Sequence, residues 1–420
     1  MKIVRLLLSL SVFISFYAKA QSDSLKLDIS DAQRMFLSKN HQLLAANYQI
    51  GQSQAEVITA KLFDNPELSY ENLLYNHETG KFLETSYATG QYNAQLSQLI
   101  KIAGKRKKTI QLAKTGVKLA ETEYEEAMRN LRFQLRDLFY RAYYSNQSAK
   151  IYQQEIASSK QLLTAYKKQL TVGNVAQKDV VRIQSLLITL QSELNTLLNT
   201  LEDDLRDIKL LCVIDAETPI KLVLADAKQK AVQQIPYTVL LDSARNNRAD
   251  YKLAKYNQQY SEAQLKLQKA MAIPDIEMSL IYDLKGSYPE KYTGIGIKVP
   301  IPLFNRNQGE IKKARIGINA ANTEVKRYDS LLENELHNSY QTALRTEQHY
   351  FDIDPGFSPD FEQLMRSINK SFKERNLSLI EFLDFYAAYR ENTLLLNQLK
   401  YERLSNREEL NFVTGSNIFN

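Results

Sequence analysis

The sequence predicts a mostly α chain with a small β part, assembled from two copies of one half. Three observations carry this reading. The chain repeats itself at a long interval, its helical runs are too long for a globular core, and four short segments switch to the alternation of strands.

The repeat is visible as matched anchors. Ile110, Ala113, Ala120, Glu123, Leu131 and Leu135 recur at an offset of 201 as Ile311, Ala314, Ala321, Glu324, Leu332 and Leu336. Upstream the offset is 208, pairing Ala46, Tyr48, Ala55, Lys61 and Pro66 with Ala254, Tyr256, Ala263, Lys269 and Pro274. Downstream it is 202, pairing Asn174, Leu194, Asn195 and Leu197 with Asn376, Leu396, Asn397 and Leu399. Such a long period marks a duplicated half-protein, not a solenoid. The expected organisation is a secretory signal over residues 1–20, a first repeat over 21–214, a connector over 215–236 and a second repeat over 237–420.

The signal is read from Lys2 and Arg5, the apolar run from Leu6 to Tyr17, and the small residues Ala18 and Ala20 around Lys19. That run is shorter than the roughly 20 residues a membrane helix needs, and no later stretch reaches that length. Export therefore ends in a periplasm, outside the cell, or in a β-type outer membrane. Cys212 is the single cysteine, so the fold is held without internal disulfides. A net charge of +6 over 420 residues gives no reason to invoke nucleic acid.

The longest helical run, Lys105 to about Leu170, has no proline and one glycine, Gly116. Leu112, Leu119, Tyr124, Ala127, Leu131, Leu135, Leu138 and Ala142 recur at three- and four-residue spacing, with good polar helix formers between them. At 1.5 Å per residue this predicts a rod of roughly 100 Å. Shorter neighbours, Asp31 to Phe63 and Ala176 to Leu211, would stack alongside it. The second half repeats the plan with Tyr237 to Met271, Asn307 to Tyr350 resuming near Asp360, and Leu377 to Phe412. Asp354-Pro355-Gly356 and Pro359 interrupt its long helix, because proline removes a donor and crowds the preceding turn.

Four segments alternate with period two. They are Leu68, Tyr70 and Leu74; Tyr92, Ala94 and Leu96; Ile276, Met278, Leu280 and Tyr282; and Ile295, Ile297 and Val299. Polar loops, His77 to Gly90 and Asp283 to Lys291, join them into two hairpins. One side is apolar and the other polar or tiny, as a wall between lipid and water requires. Four strands cannot close a barrel, and an open edge in lipid strands unsatisfied backbone groups. Three copies would supply twelve strands and a lumen, against about eight in the smallest membrane barrels.

The run Lys298-Val299-Pro300-Ile301-Pro302-Leu303-Phe304-Asn305-Arg306-Asn307-Gln308-Gly309-Glu310-Ile311 resembles the strand-to-helix signature of the TolC family of outer-membrane efflux proteins, nearest its heavy-metal and cation branch. Gly104-Lys105-Arg106 is the first-half counterpart, and the likeness spans about residues 29 to 415. Locally, Pro300 and Pro302 end strand pairing, Asn305 is suited to cap the following helix, and Gly104 allows the matching turn. The basic residues 105 to 108 read as solvated interfacial side chains. The resemblance implies a TolC-like duplicated long-helix bundle, a periplasmic α-barrel, with four strands per chain entering a shared 12-stranded trimeric outer-membrane β-barrel. It also implies a Gram-negative outer-membrane location, a homotrimer embedded in lipid, a periplasmic adaptor and an inner-membrane transporter of the resistance-nodulation-division type.

The same resemblance marks Val172, Gly173, Asn174 and Asp179 as an adaptor-docking tip, with Asn376, Leu377 and Ser378 as its second copy. Arg375 stands where glycine is expected, so Asn376 is the residue expected to turn left-handed. Glu381 and Asp384, three apart on one helix face, match positions of acidic constriction rings. Six such carboxylates around an axis would favour cations and raise one another's pKa values. An ordinary solvated acidic face is the competing reading.

Chemistry finds little support in the chain. His41, His77, His337 and His349 lack metal-ligand spacing, and no phosphate loop or nucleophile elbow occurs. The expectation is a passive conduit for metal cations or small toxic compounds, with no catalytic residues, no bound metal and no cofactor. A secreted coiled-coil scaffold without a barrel is the alternative, and it leaves the one-sided strands unexplained.

Overall fold

The computed structural model describes residues 24–224, 231–286, 289–353 and 357–419, the side chains of 357, 358 and 362 excepted. The expected signal segment and Asp354-Pro355-Gly356 lie outside the described residues. β1 (Leu25–Leu27) leads into α1 (Ile29–Lys39) and α2 (His41–Lys61). Then come β2 (Glu67–Asn72), β3 (Tyr75–Asn76), β4 (Lys81–Phe82) and β5 (Tyr92–Ile100), followed by α3 (Lys105–Thr171) and α4 (Gln177–Cys212). β6 (Ile220–Leu222) precedes α5 (Tyr237–Asn247), α6 (Ala249–Met271), β7 (Ile276–Asp283) and β8 (Tyr292–Lys298). The chain ends in α7 (Gln308–Asp352), α8 (Phe357–Lys373) and α9 (Leu379–Thr414).

The helical runs appear where the periodicity places them, with one systematic difference. The expected helix from Asp31 to Phe63 breaks at Asn40, and its second copy breaks at Arg248, 208 positions later. Asn40 ends α1 and starts α2 at once: its side-chain oxygen accepts from the backbone N–H of Gln42 and Leu43, a local cap. Arg248, 2% exposed, precedes α6 with its guanidinium on Asp250 at 2.8 Å. Within the residues expected to connect the halves, β6 pairs in parallel with β1 in the register Leu25↔Ile220 and Leu27↔Leu222.

The chain forms two compact units, and neither coincides with a repeat. One draws its described residues from Met1–Leu43, Met128–Ala244 and Asn334–Asn420. Its core is helical and apolar, with Phe36, Leu135, Phe139, Ile183, Leu190, Ile208, Leu240 and Leu410 buried. α1 is tied to α4 by Asn40, whose amide donates to the Leu211 carbonyl at 3.0 Å, and by the Cys212 thiol, which donates to the Ala32 carbonyl. Burial pushes the Cys212 thiol up to about 11, which keeps it protonated and unreactive at neutral pH.

The other unit comprises Leu44–Ala127 and Arg245–Glu333. It contains a four-stranded antiparallel sheet in the order β2-β5-β7-β8. β2 with β5, and β7 with β8, are the two expected hairpins, and β5–β7 pairing joins the halves into one sheet. Between β2 and β5, the short β3–β4 hairpin adds a feature the sequence pattern did not reveal.

Candidate functional site

Register assigns every strand residue to a face, because antiparallel partners project the same way and neighbours along a strand alternate. One face is built from cross-strand rows. Leu68 is opposite Leu96, which is opposite Leu280, which is opposite Ile295. The next rows are Gln98, Met278 and Ile297, then Ile100 and Ile276. Leu68 and Ile295 are each 76% exposed, so the apolar side chains at the edges of this face are left uncovered by the described residues. At one end of the band Tyr70, Tyr92 and Tyr282 touch in series, with ring centroids 6.0 and 5.9 Å apart. Amphipathic rings at that position form the kind of girdle found where a bilayer meets water.

The other face carries Glu67, Ser69 and Glu71, then Asn93, Gln95 and Ser97, then Glu277, Ser279 and Asp283, and finally Gly294, Gly296 and Lys298. Ile281 and Leu99 are its apolar exceptions, and Tyr292, opposite Asp283, is its aromatic one. The seven residues of β7 from Ile276 to Tyr282 span about 20 Å, close to the ~25 Å band of a membrane barrel wall. β2 and β8 are the edges, each with a row of unpaired backbone groups. Together these features make a sheet with one apolar side, one mostly polar side and two open edges.

The junctions below the sheet hold the signature residues. Gly104 has φ +66°, as the expected turn requires, and Ala103 before it has φ +56°. Lys105 departs from the solvated reading: it is 4% exposed and pairs with Asp275 at 2.7 Å. Asp275 also accepts the Ile102 backbone N–H at 3.0 Å, so one carboxylate ties the end of β5 to the start of β7. Arg106 stacks on the Phe63 ring at 4.1 Å and donates to the Lys61 carbonyl. Lys108 donates to the Ala103 carbonyl. These basic groups are anchored, not free.

In the second junction Pro300 and Pro302 follow β8, as expected of residues that end pairing. Asn305 does not cap α7: its side chain accepts from the Asn307 N–H, forming a turn before the helix starts at Gln308. Asn307 takes the left-handed conformation, φ +59°, and its amide reaches the Gln268 carbonyl at 2.8 Å. Gly309 lies within α7 with open space around it, so no steric demand for glycine exists there. Phe304 is 92% exposed.

The two tips lie in the helical unit and are brought together by packing. Ile156, Ile183, Leu187, Leu190 and Leu379 form a buried cluster, with Tyr166 and Phe372 packed against it. Tyr166 stacks on Phe372, which stacks on Phe382 at 4.0 Å. In the first turn Gly173 has φ +78°, its N–H on the Leu170 carbonyl and the Asn174 N–H on the Gln169 carbonyl. Val172 is exposed, and Asp179 sits in the first turn of α4. The second turn repeats both bonds: Arg375 to Phe372 and Asn376 to Ser371. The left-handed residue is Arg375 itself, φ +62°, and not Asn376.

That assignment has a testable consequence. Arg375→Gly should stabilise the helical unit by about 1 kcal/mol, the relief of left-handed strain less the added freedom of glycine when unfolded. Gly173→Ala should destabilise it by a similar amount, and thermal unfolding of the pair reads both signs.

Glu381 and Asp384 stand in the first turns of α9, both exposed. Glu381 has a local task that sequence reasoning missed, although Ser-x-x-Glu signals it. Its carboxylate accepts from the Ser378 hydroxyl at 2.7 Å and the Ser378 N–H at 2.9 Å, while the Ser378 hydroxyl accepts the Glu381 N–H. These bonds hold the Glu381 pKa below the usual carboxylate value. Leu377 precedes this cap, half-buried.

Comparisons agree with this geometry. The family described as outer membrane efflux protein matches residues 32–211. The cobalt-zinc-cadmium resistance protein CzcC of Cupriavidus metallidurans is 21% identical over 327 residues, covering 74% of this chain and 75% of that protein. The CmeC outer membrane channel of Campylobacter jejuni superposes with a TM-score of 0.77 at 14% identity, covering 93% of this chain and 86% of that one. The outer membrane protein VceC of Vibrio cholerae gives 0.73 at 14% identity, over 93% and 96%. With its one-sided sheet and paired helical tips, the chain carries an outer membrane efflux protein domain over residues 32–211, is homologous to CzcC, and has the fold of outer-membrane channels.

Proposed function

We propose that three copies of this chain close one barrel and act as a passive duct, fed by an inner-membrane transporter through a periplasmic adaptor. The observation that carries this reading is the four-stranded sheet with one exposed apolar face and two open edges. A soluble scaffold would leave that face and both edges in water, where they would drive aggregation. The resemblance to CzcC, a cobalt-zinc-cadmium resistance protein, supports metal cations as cargo. The paired turns at Gly173 and Arg375 are the adaptor's docking tips, with Val172, Asn174, Asp179, Asn376, Leu377 and Ser378 around them. Residues 21–214 and 237–420 are the two repeats, and 215–236 connects them.

Glu381 and Asp384 are the gate candidates. Threefold repetition would set six carboxylates about one axis, a field that attracts divalent cations. Glu381, held ionised by its cap, keeps its charge at pH values where an ordinary glutamate begins to protonate. Because its folded pKa is depressed, the cap stabilises the fold above the unfolded glutamate pKa of about 4.3. That contribution is lost as pH falls through the lowered folded value.

Reconstitution in planar bilayers tests the duct: stepwise conductance is expected, and its absence together with detergent-free solubility would overturn the reading. Glu381→Gln with Asp384→Asn isolates the gate, because glutamine preserves the capping box while removing charge. The pair should raise conductance and weaken block by divalent cations. Unchanged block would place the constriction elsewhere.

A further inference from the structure

The two junction loops beside the sheet carry exposed large apolar side chains, among them Phe304 and Ile301, the two most exposed among the described residues of their unit. Leu62 and Phe63 lead into β2, and Phe63 is 76% exposed. Ile301, Leu303 and Phe304 leave β8, with Ile301 77% and Phe304 92% exposed. Both loops lie at the same end of the sheet, since Glu67 opens β2 and Lys298 closes β8 in an antiparallel order. They lie at opposite edges, separated by three strand spacings, about 14 Å at the usual interval. Within one chain they do not meet, since Phe304 and Phe63 stay 92% and 76% exposed.

We propose that they meet between copies: Ile301, Leu303 and Phe304 of one copy pack on Leu62 and Phe63 of the next. The inference rests on the shared-barrel reading above, in which β8 of one copy pairs with β2 of its neighbour. Continuity then forces the loops leaving and entering those strands into contact. Each loop is already shaped for a partner. The Arg106 guanidinium covers one face of Phe63 and fixes the ring, leaving the other face open. Pro300 and Pro302 restrict the second loop, and the Leu303 N–H donates to the Ile301 carbonyl at 2.9 Å. Rigid aromatic anchors on preorganised backbone are what strong interface contacts use. Burying five such side chains just below the bilayer would seal the barrel seam where strands give way to helices.

The test uses the full chain in outer membranes. Phe63→Cys combined with Phe304→Cys should form disulfides between copies on oxidation, giving dimer and trimer bands on non-reducing gels. Each single variant should give monomer only, and Cys212, being buried, is common to all. A bridge within one chain would leave the band at monomer mass, so only bridges between copies give dimer and trimer bands. Native mass on the same sample separates the two ideas. A three-chain assembly without the bridge would overturn the contact and leave the barrel standing, with the loops anchored in lipid instead. Any other chain number would overturn the barrel reading and the contact with it. Where the cysteine pair fails to assemble, Phe63→Ser and Phe304→Ser decide the matter. Each should weaken the trimer about tenfold or more, and the double variant should lose less than the product of the two. Independent, multiplicative losses would contradict contact.

Discussion

Leu280→Arg should abolish the assembled outer-membrane form of this protein, while Gln95→Lys leaves assembly intact. Leu280 sits mid-strand on β7 between Leu96 and Ile295, in the centre of the apolar face. A cation at the midplane of a barrel's lipid side costs about 2–4 kcal/mol. Threefold repetition brings this to roughly 6–12 kcal/mol per assembly, comparable to the whole stability of an ordinary domain. Gln95 lies on the opposite face, between Ser69 and Ile281, where a new charge meets water. The yield of SDS-resistant trimer in outer-membrane fractions reads both. Wild-type yield for Leu280→Arg would mean that this face does not meet lipid.

Glu347→Ala should be the most destabilising single change in the helical unit, by about 3–5 kcal/mol, the usual cost of removing one partner of a buried ion pair. Glu347 is 1% exposed, and a single carboxylate oxygen accepts from Arg403 at 2.8 Å and Arg407 at 2.7 Å. Burial lowers the Arg407 pKa while Glu347 opposes that shift, so the carboxylate is what keeps the guanidinium tolerable there. Replacing all three charges together by Leu and Met should be far milder, because no buried charge is then left without its counterion. Chemical unfolding of the two variants distinguishes this cluster from one that merely fills space.

Local patterns in the sequence foretold what depends on local rules. Strand alternation identified the apolar face before any register was known, and the glycine at 173 located a tip. What escaped depends on residues distant in sequence. Asn40 splits a helix because its side chain can reach Leu211, and Lys105 is buried because Asp275 arrives beside it. Arg375 adopts a conformation its side chain disfavours because the duplicated pair of turn bonds, to Phe372 and Ser371, fixes the reversal at that residue. Asn305 missed its cap for a related reason: Asn307, bonded to Gln268, delays the helix start. Glu381 is the opposite case, since its capping box was legible in Ser378-x-x-Glu381 and was passed over in favour of the gate.

The proposed duct requires that one chain supply a third of a barrel. Native mass measurement of the assembly extracted from outer membranes tests it most directly. A single species of three chains is expected, whose four-stranded sheets together give twelve strands and leave no edge open. A stable monomer or dimer that retains the β2-β5-β7-β8 sheet would contradict it.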